Sequence, residues 1–509
     1  MFKNPILSGF NPDPSICRCG DEYYLVTSTF EYFPGLPVYK SRDLVNWEQI
    51  GNVLDRPEQL NLDGVKSSSG LYAPSIRYYD GTFYVVCTNV NQGGNFVVSA
   101  KDPKGPWSDP QFLGTDGIDP SLFFDNDKKA YYVGQRPKKD EKYSGDCEIY
   151  VQEFDYENLQ VKGEPVVLWD GALKQSFWAE GPRLYKMFGY YYLLIAEGGT
   201  RDYHSVTMAR SKNVWGEYEP CMRNPILTHR HLGSDFPIYN VGHADLVETQ
   251  NGEWWMVALG CRGIEGRYSN LGRETFLAKV NWDTDLWPLV NKGIGYIPEI
   301  SEISTNLAPA KVQAPKTIET FADGIIPHNW ITARTPRREF YSLTKPGLRL
   351  YPQKTSASDT EHFSFWGQRV RDKSFTAQTV VELKNAHENE RAGMVIIQKN
   401  THYIEIGVGK DDVTLTIVNK DDKQVIKKDC NAGKIYITAE IKGQNYNFYY
   451  GYDKDERITL AENIDGRFLS TENACSYAGL VIGMFASSYG KETEACADFE
   501  YFYYSGEDE

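Results

Sequence analysis

A polar turn, a pair of aromatic residues and then an apolar run recur five times in the first 300 residues. The pattern reads Gly20-Asp-Glu-Tyr-Tyr-Leu-Val26, Asp80-Gly-Thr-Phe-Tyr-Val-Val86 and Asp127-Lys-Lys-Ala-Tyr-Tyr-Val133. It returns as Gly189-Tyr-Tyr-Tyr-Leu-Leu194 and Asn251-Gly-Glu-Trp-Trp-Met-Val257. A second element precedes each: Asp13-Pro-Ser-Ile16, Ala73-Pro-Ser-Ile76, Asp119-Pro-Ser-Leu122, Gly181-Pro-Arg-Leu184 and His243-Ala-Asp-Leu246. The two elements are separated by hairpin spacing, a short inner strand turning into the next strand outward. A third, seen in Ser41-Arg-Asp-Leu-Val-Asn-Trp47 and Ala209-Arg-Ser-Lys-Asn-Val-Trp215, reads as an outer strand and turn. Intervals of roughly 50–60 residues suit four-stranded blades, so residues 1–300 are expected to form a five-bladed β-propeller.

The repeat stops near Ile300. Residues 301–316, with Pro309 and Pro315, few aromatics and no period, read as a linker. Beyond it the texture becomes strand-like runs such as Tyr403-Ile-Glu-Ile-Gly-Val408 and Val413-Thr-Leu-Thr-Ile-Val418, separated by polar turns. Residues 317–509 are therefore expected to form a β-sandwich, and the chain as a whole to be all-β without long helices.

Composition narrows the function. With 54 Lys and Arg against 69 Asp and Glu, the formal charge is −15. Nucleic acid and anionic membranes both call for a basic footprint, so a neutral partner is expected. No apolar run of about 18 residues suggests a transmembrane span. No apolar stretch near the N-terminus reads as a signal peptide. The nine cysteines are scattered, with no zinc-like spacing, and read as reduced thiols of a cytoplasmic protein.

In a propeller the innermost strands ring a channel, so one repeated offset converges on one mouth. The pre-proline offset carries Asp13, Ala73, Asp119, Gly181 with Glu180 just before it, and His243. A single Asp-Pro is explained by an Asx side chain capping its own turn. Three acids at one repeated offset point instead to a shared pocket, because buried carboxylates are costly. Carboxyls crowded together split their pKa values into an acid and a base, as cleavage of a glycosidic bond requires.

Taken in order, Asn11-Pro-Asp-Pro-Ser15, Gly117-Ile-Asp-Pro-Ser121, Ala179-Glu-Gly-Pro182, Gly242-His243 and Leu271-Gly-Arg-Glu-Thr275 resemble glycoside hydrolase family 43, in its β-xylosidase and α-L-arabinofuranosidase branch. The resemblance implies an inverting glycosidase with Asp13 as general base, Glu180 as general acid and Asp119 raising the pKa of Glu180. It implies that Arg273 hydrogen-bonds sugar hydroxyls and Asp119, and that Phe30, Tyr72, Ala73 and Ile118 wall the sugar. Many β-xylosidases of the branch have Trp in place of Tyr72 and an aromatic in place of Ile118, which leaves the sugar open. His243 is either a satisfied core histidine or a ligand near a water or a calcium ion. Asp323 and Asp498 are acids that a structural calcium in the sandwich would use. Phe485 is a candidate for a sandwich loop that caps the pocket, or a core ring. No cofactor is needed for the chemistry.

The expected reaction is release of D-xylose from non-reducing ends of xylo-oligosaccharides, with arabinofuranosidase activity on arabinoxylan, alone or beside it, as the alternative. A non-catalytic carbohydrate-binding protein would explain the aromatic content but not the three acids. Relatives of this kind are often dimers or tetramers.

Overall fold

The computed structural model describes residues 1–312, 314–344 and 347–507. Five antiparallel four-stranded sheets surround a central channel. Their inner strands are Ser15–Cys19, Ser75–Tyr79, Ser121–Phe124, Glu180–Met187 and Ile238–Glu248. Each turns into a second strand carrying the aromatic pair: Glu22–Val26, Thr82–Asn89, Ala130–Pro137, Tyr190–Glu197 and Trp254–Arg262. The hairpin of the second blade shows why the turn residues matter. Tyr79 pairs with Thr82, and the two residues between, Asp80 and Gly81, have φ of 45° and 73°. Two successive positive φ values match the right-handed twist of the flanking strands. The aromatic pairs pack within and between blades, as in the edge-on contact of Tyr24 with Phe83, ring centroids 4.9 Å apart.

Asp245, on the fifth inner strand and fully buried, ties the channel together. It accepts from Ser15 Oγ at 2.7 Å, Arg77 Nη1 at 2.8 Å and Tyr185 Oη at 2.6 Å. It thereby joins the inner strands of the first, second and fourth blades to its own. The N-terminal segment closes the ring along the last blade. Phe2 and Lys3 pair with Ser301 and Ile300, and the Asn11 N–H donates to Arg273 O at 3.0 Å.

The segment after Ile300 lies against the propeller, where Ile303 and Leu307 pack on a core with Phe2 and Trp255. The Ala310 N–H donates to Asp43 Oδ2 at 2.7 Å. Residue 313 of this expected linker is outside the described residues. The C-terminal part is two facing sheets of a β-sandwich, and one of them takes its last strand from the propeller. There Tyr32 and Phe33 pair with Ala333 and Thr332. Buried Arg334 follows, donating from Nε and Nη2 to Val65 O at 3.0 and 2.8 Å. One sheet edge is thus paired across the domain boundary, where it cannot recruit another chain.

In the sandwich, the calcium expectation is corrected and the open reading of Phe485 is decided. Asp498 is saturated by cations, with Arg349 at 2.6 and 2.8 Å and Lys384 at 2.8 Å, while Asp323 pairs with Lys316 at 3.1 Å. Asp498 is thus spent on a part-buried ion-pair cluster and Asp323 on an exposed lysine, each with its own partners and not with the other. Phe485 lies within the strand Val481–Ser487, fully buried against Phe10, Phe30 and Phe365, and is a core ring rather than a pocket loop.

Candidate active site

At the repeated offset the backbone does something unusual in four blades. Asp13, Asp119, Gly181 and His243 have φ of 55°, 54°, 58° and 45°. The left-handed region is costly for residues with a β-carbon, and Asp is among those that tolerate it best. The kink lifts each residue out of the in-and-out alternation of its strand. In the fourth and fifth blades the register also slips, between Glu180 and Arg183 and between Gly242 and Asp245. Such bulges re-aim side chains. Asp13, Asp119, Glu180 and His243 all face one cavity of about 480 Å³.

Two glycines make room for the imidazoles. A β-carbon at Gly181 would meet His243 Nε2 at 2.9 Å, and one at Gly242 would meet the His204 ring at 2.4 Å. A side chain at position 181 is therefore blocked, and the fourth blade presents its acid from position 180.

The three carboxyls sit in different fields. Burial works to raise the pKa of Asp13, but the Arg273 guanidinium first, and the Ser28 hydroxyl with it, outweigh burial and hold it below the ordinary value. Both its oxygens are engaged, Oδ1 by Arg273 Nη1 at 2.9 Å and Oδ2 by Ser28 Oγ at 2.6 Å. Asp119 is pushed up to about 7, first by burial and then by the negative charge of Asp13. Glu180 is driven well above the carboxylate range by burial, then by Asp119 and Asp13. Its carboxyl makes no hydrogen bond among the described residues, so it faces the cavity uncommitted. One group tuned to be ionised and one tuned to hold a proton, in one pocket, form an acid–base pair.

The expected contact of Arg273 with Asp119 is corrected. Its Nη1 bonds Asp13 and Thr200 Oγ1, at 2.9 and 3.1 Å, and its Nε donates to Tyr477 O at 3.3 Å. The reason is placement. Arg273 leaves the backbone beside Asn11, on the Asp13 side of the cavity.

Burial pulls His243 down to about 3, so the ring is neutral 3.8 Å from Asp13 and 4.0 Å from Asp119. Its Nε2 is buried with no partner among the described residues. Ligand atoms of Asp119, Glu180 and His243 lie within 4.8 Å of one another. The set suits calcium poorly, since that ion takes six to eight oxygens and this cluster offers two carboxyls and a nitrogen. A dication on Glu180 would also compete with the proton that its surroundings favour.

Phe30, Tyr72, Ala73, Ile118 and Arg273 line the same cavity, so the nine residues expected at the propeller pocket meet in one place, while Asp323, Asp498 and Phe485 lie elsewhere. Phe30 stacks on Phe10 with centroids 6.0 Å apart and meets Tyr72 edge-on at 5.6 Å. Sequence reasoning missed the opposite wall. Phe177 and Trp178 lead directly into Glu180, and Gly198 to Tyr203 follow the strand after it. The place of Phe177 and Trp178, immediately before the acid, was a usable signal. Tyr477 had none. It arrives from the sandwich on a segment clamped to the propeller by Thr471 N–H to Ser269 O and Leu480 N–H to Asn270 O, at 3.0 and 2.9 Å.

The family model described as glycosyl hydrolases family 43 matches residues 2–288, and that of a beta xylosidase C-terminal concanavalin A-like domain matches residues 318–505. A xylosidase/arabinosidase of Butyrivibrio fibrisolvens is 45% identical over 516 residues, covering 99% of each chain. A non-reducing end alpha-L-arabinofuranosidase of Bacteroides ovatus is 38% identical, covering 98% of this chain and 94% of its own. Among solved structures, a xylan beta-1,4-xylosidase from Bacillus halodurans superposes with a TM-score of 0.92 at 32% identity, over 99% of this chain and 100% of that one.

Proposed function

The chain belongs to family 43 of the glycosyl hydrolases, and from that premise we propose that it is an exo-acting, inverting β-xylosidase using Asp13 as base and Glu180 as acid. The observation that carries the assignment of roles is the opposed tuning of two carboxyls in one cavity, Asp13 downward and Glu180 upward. In the reaction the Asp13 carboxylate takes a proton from water as the water oxygen bonds to the anomeric carbon. The glycosidic bond breaks on the opposite face, and Glu180 gives its proton to the departing oxygen. Asp13 is left protonated and Glu180 ionised, and exchange with solvent resets both. Asp119, beside Glu180, raises the Glu180 pKa through the charge it carries once ionised. Arg273 fixes Asp13 and leaves donors for sugar hydroxyls. No step calls for a cofactor.

Relatives named for both sugars support arabinofuranosidase activity as a second reading at the same site. The substrate is a xylan-derived oligosaccharide, and the negative net charge disfavours nucleic acid and anionic membranes as partners. The nine cysteines, all unpaired, support a reducing, cytoplasmic setting. A dimer or tetramer, as the family resemblance implies, is checked by light scattering. The test of the reaction is proton NMR of xylobiose hydrolysis. First appearance of α-xylose is expected; first appearance of β-xylose, or binding without cleavage, would sink the proposal. Rates on the 4-nitrophenyl β-xyloside and α-L-arabinofuranoside then rank the two sugars.

A further inference from the structure

A second cavity, larger than the active site at about 660 Å³, lies between propeller and sandwich. The propeller contributes Ser8, Asn11 and Tyr39, and the sandwich contributes Gln368, Arg369 and Arg371. In a chain with fifteen more acids than bases, arginines are expected to find carboxylates. These two do not. Arg369 is 6% exposed, and its guanidinium makes no hydrogen bond or ion pair among the described residues, with Nε and Nη2 buried and unpartnered. The Phe10 ring stands beside it, 5.6 Å from Cζ to centroid. The Arg371 side chain makes no hydrogen bond or ion pair among the described residues and lies over the Tyr504 ring at 5.1 Å.

The acids of the cavity do not compensate. Glu319 and Asp323 answer to Lys316 at 3.5 and 3.1 Å, and Glu48 is an exposed residue of the wall. A buried guanidinium without a counter-charge is costly, by several kcal/mol for an isolated ion. The neighbouring groups are neutral donors or amides: Tyr39 Oη already donates to Asn11 Oδ1 at 2.7 Å, and Gln368 accepts from Asn329 Nδ2 at 3.4 Å. What is missing is an acceptor with charge.

We propose that this interdomain cavity binds a small oxyanion, a carboxylate or phosphate on a body no larger than a monosaccharide, received by Arg369 and Arg371. Guanidinium forks match both groups in geometry, which is why the shared chemistry is an oxyanion. The ligand would bridge the domains. Its floor is the segment that leads to Asp13, and Gly9 of that segment sits so close to the sandwich that a β-carbon would lie 2.3 Å from Val370 O. The site is independent of the reaction proposed above and needs no turnover to be seen.

The test uses the full chain in calorimetry and thermal denaturation with inorganic phosphate or D-glucuronate, against sodium chloride at equal ionic strength. Saturable heat and a rise in Tm are expected with at least one anion. Phosphate alone would identify a phosphoryl ligand, glucuronate alone a carboxylated sugar, and both a general oxyanion site; each supports the proposal. Arg371→Gln should weaken binding at least tenfold, with Arg369→Met as the second variant if folded. Xylose should not displace the anion. No binding of either anion at concentrations well above about 1 mM, where only a few kcal/mol of affinity are needed, overturns the proposal. Equal binding by wild type and Arg371→Gln overturns it too.

Discussion

Gly181 and the imidazole of His243 are packed so closely that a β-carbon at position 181 would stand 2.9 Å from Nε2. This contact explains why the fourth blade offers Glu180 where the first and third blades offer an aspartate directly before proline. Gly181→Ala adds a methyl against the ring and places it on a left-handed backbone, at a cost of about 1–2 kcal/mol. The acid on the preceding residue moves with it. A lower Tm and at least a tenfold loss in kcat are expected, with less change in KM. In a His243→Ala background the same substitution should cost less in kcat/KM. Full additivity in that double-mutant cycle would show that the two positions do not communicate.

Removing the acid and removing the base should differ by leaving group. Glu180→Gln cannot protonate the departing oxygen, and general acid catalysis is worth about 10²–10⁴-fold. The loss should be near the top of that range on xylobiose and much smaller on the 4-nitrophenyl glycoside, whose phenolate leaves without help. Asp13→Asn removes activation of water, so both substrates should suffer alike. Kinetics of the two variants on the two substrates check this; equal losses for Glu180→Gln on both would contradict its role.

The pH profile follows from the opposed fields. Asp13 must be ionised and is held below the usual carboxylate range, so the acid limb of kcat/KM should lie below the ordinary aspartate value. The alkaline limb belongs to the Asp119–Glu180 pair, which begins to lose its protons at about 7. Asp119→Asn deletes a negative charge that raises the Glu180 pKa. It should move the alkaline limb to lower pH while reducing kcat. The sign for stability is the same. A carboxyl whose folded pKa is raised stabilises fully below its unfolded value, and that contribution is lost as pH climbs through the folded value. Thermal melts should therefore show wild type losing Tm towards pH 7 more steeply than Asp119→Asn. An unmoved limb in the variant would remove Asp119 from this role.

Much of this was readable because the propeller repeats. Asp13 and Asp119 stand before proline in aligned repeats, and repetition converts one local pattern into a shared location in space. The shift to Glu180 was visible as an Ala-Glu-Gly-Pro variant, but its cause was not. That cause is the His243 ring, which arrives from another blade. The partner of Arg273 was misread for a similar reason: the N-terminal segment, laid along the last blade, brings Asp13 to it. Asp323 and Asp498 looked like calcium ligands only while Lys316, Arg349 and Lys384 were out of sight. Tyr477 was illegible because its position depends on how one domain docks on another, and no period in the sandwich encodes that.

Tyr477 offers the sharpest test of what the sandwich contributes to the site. Its ring lies 6.1 Å from Phe30 and 5.5 Å from the Arg273 guanidinium, and its carbonyl receives Arg273 Nε. The side chain is 38% exposed, so truncation leaves the core untouched. Tyr477→Ala removes the ring but keeps the carbonyl, and the Arg273–Asp13 pair should survive. The expected result is an unchanged Tm and a kcat/KM lowered about tenfold, since an aromatic wall is worth about 1–2 kcal/mol. The loss should sit mainly in KM, because the acid and base are undisturbed. Tyr477→Phe should restore most of it. Should Tyr477→Ala keep full kcat/KM on xylobiose, the sandwich would contribute no binding through this ring.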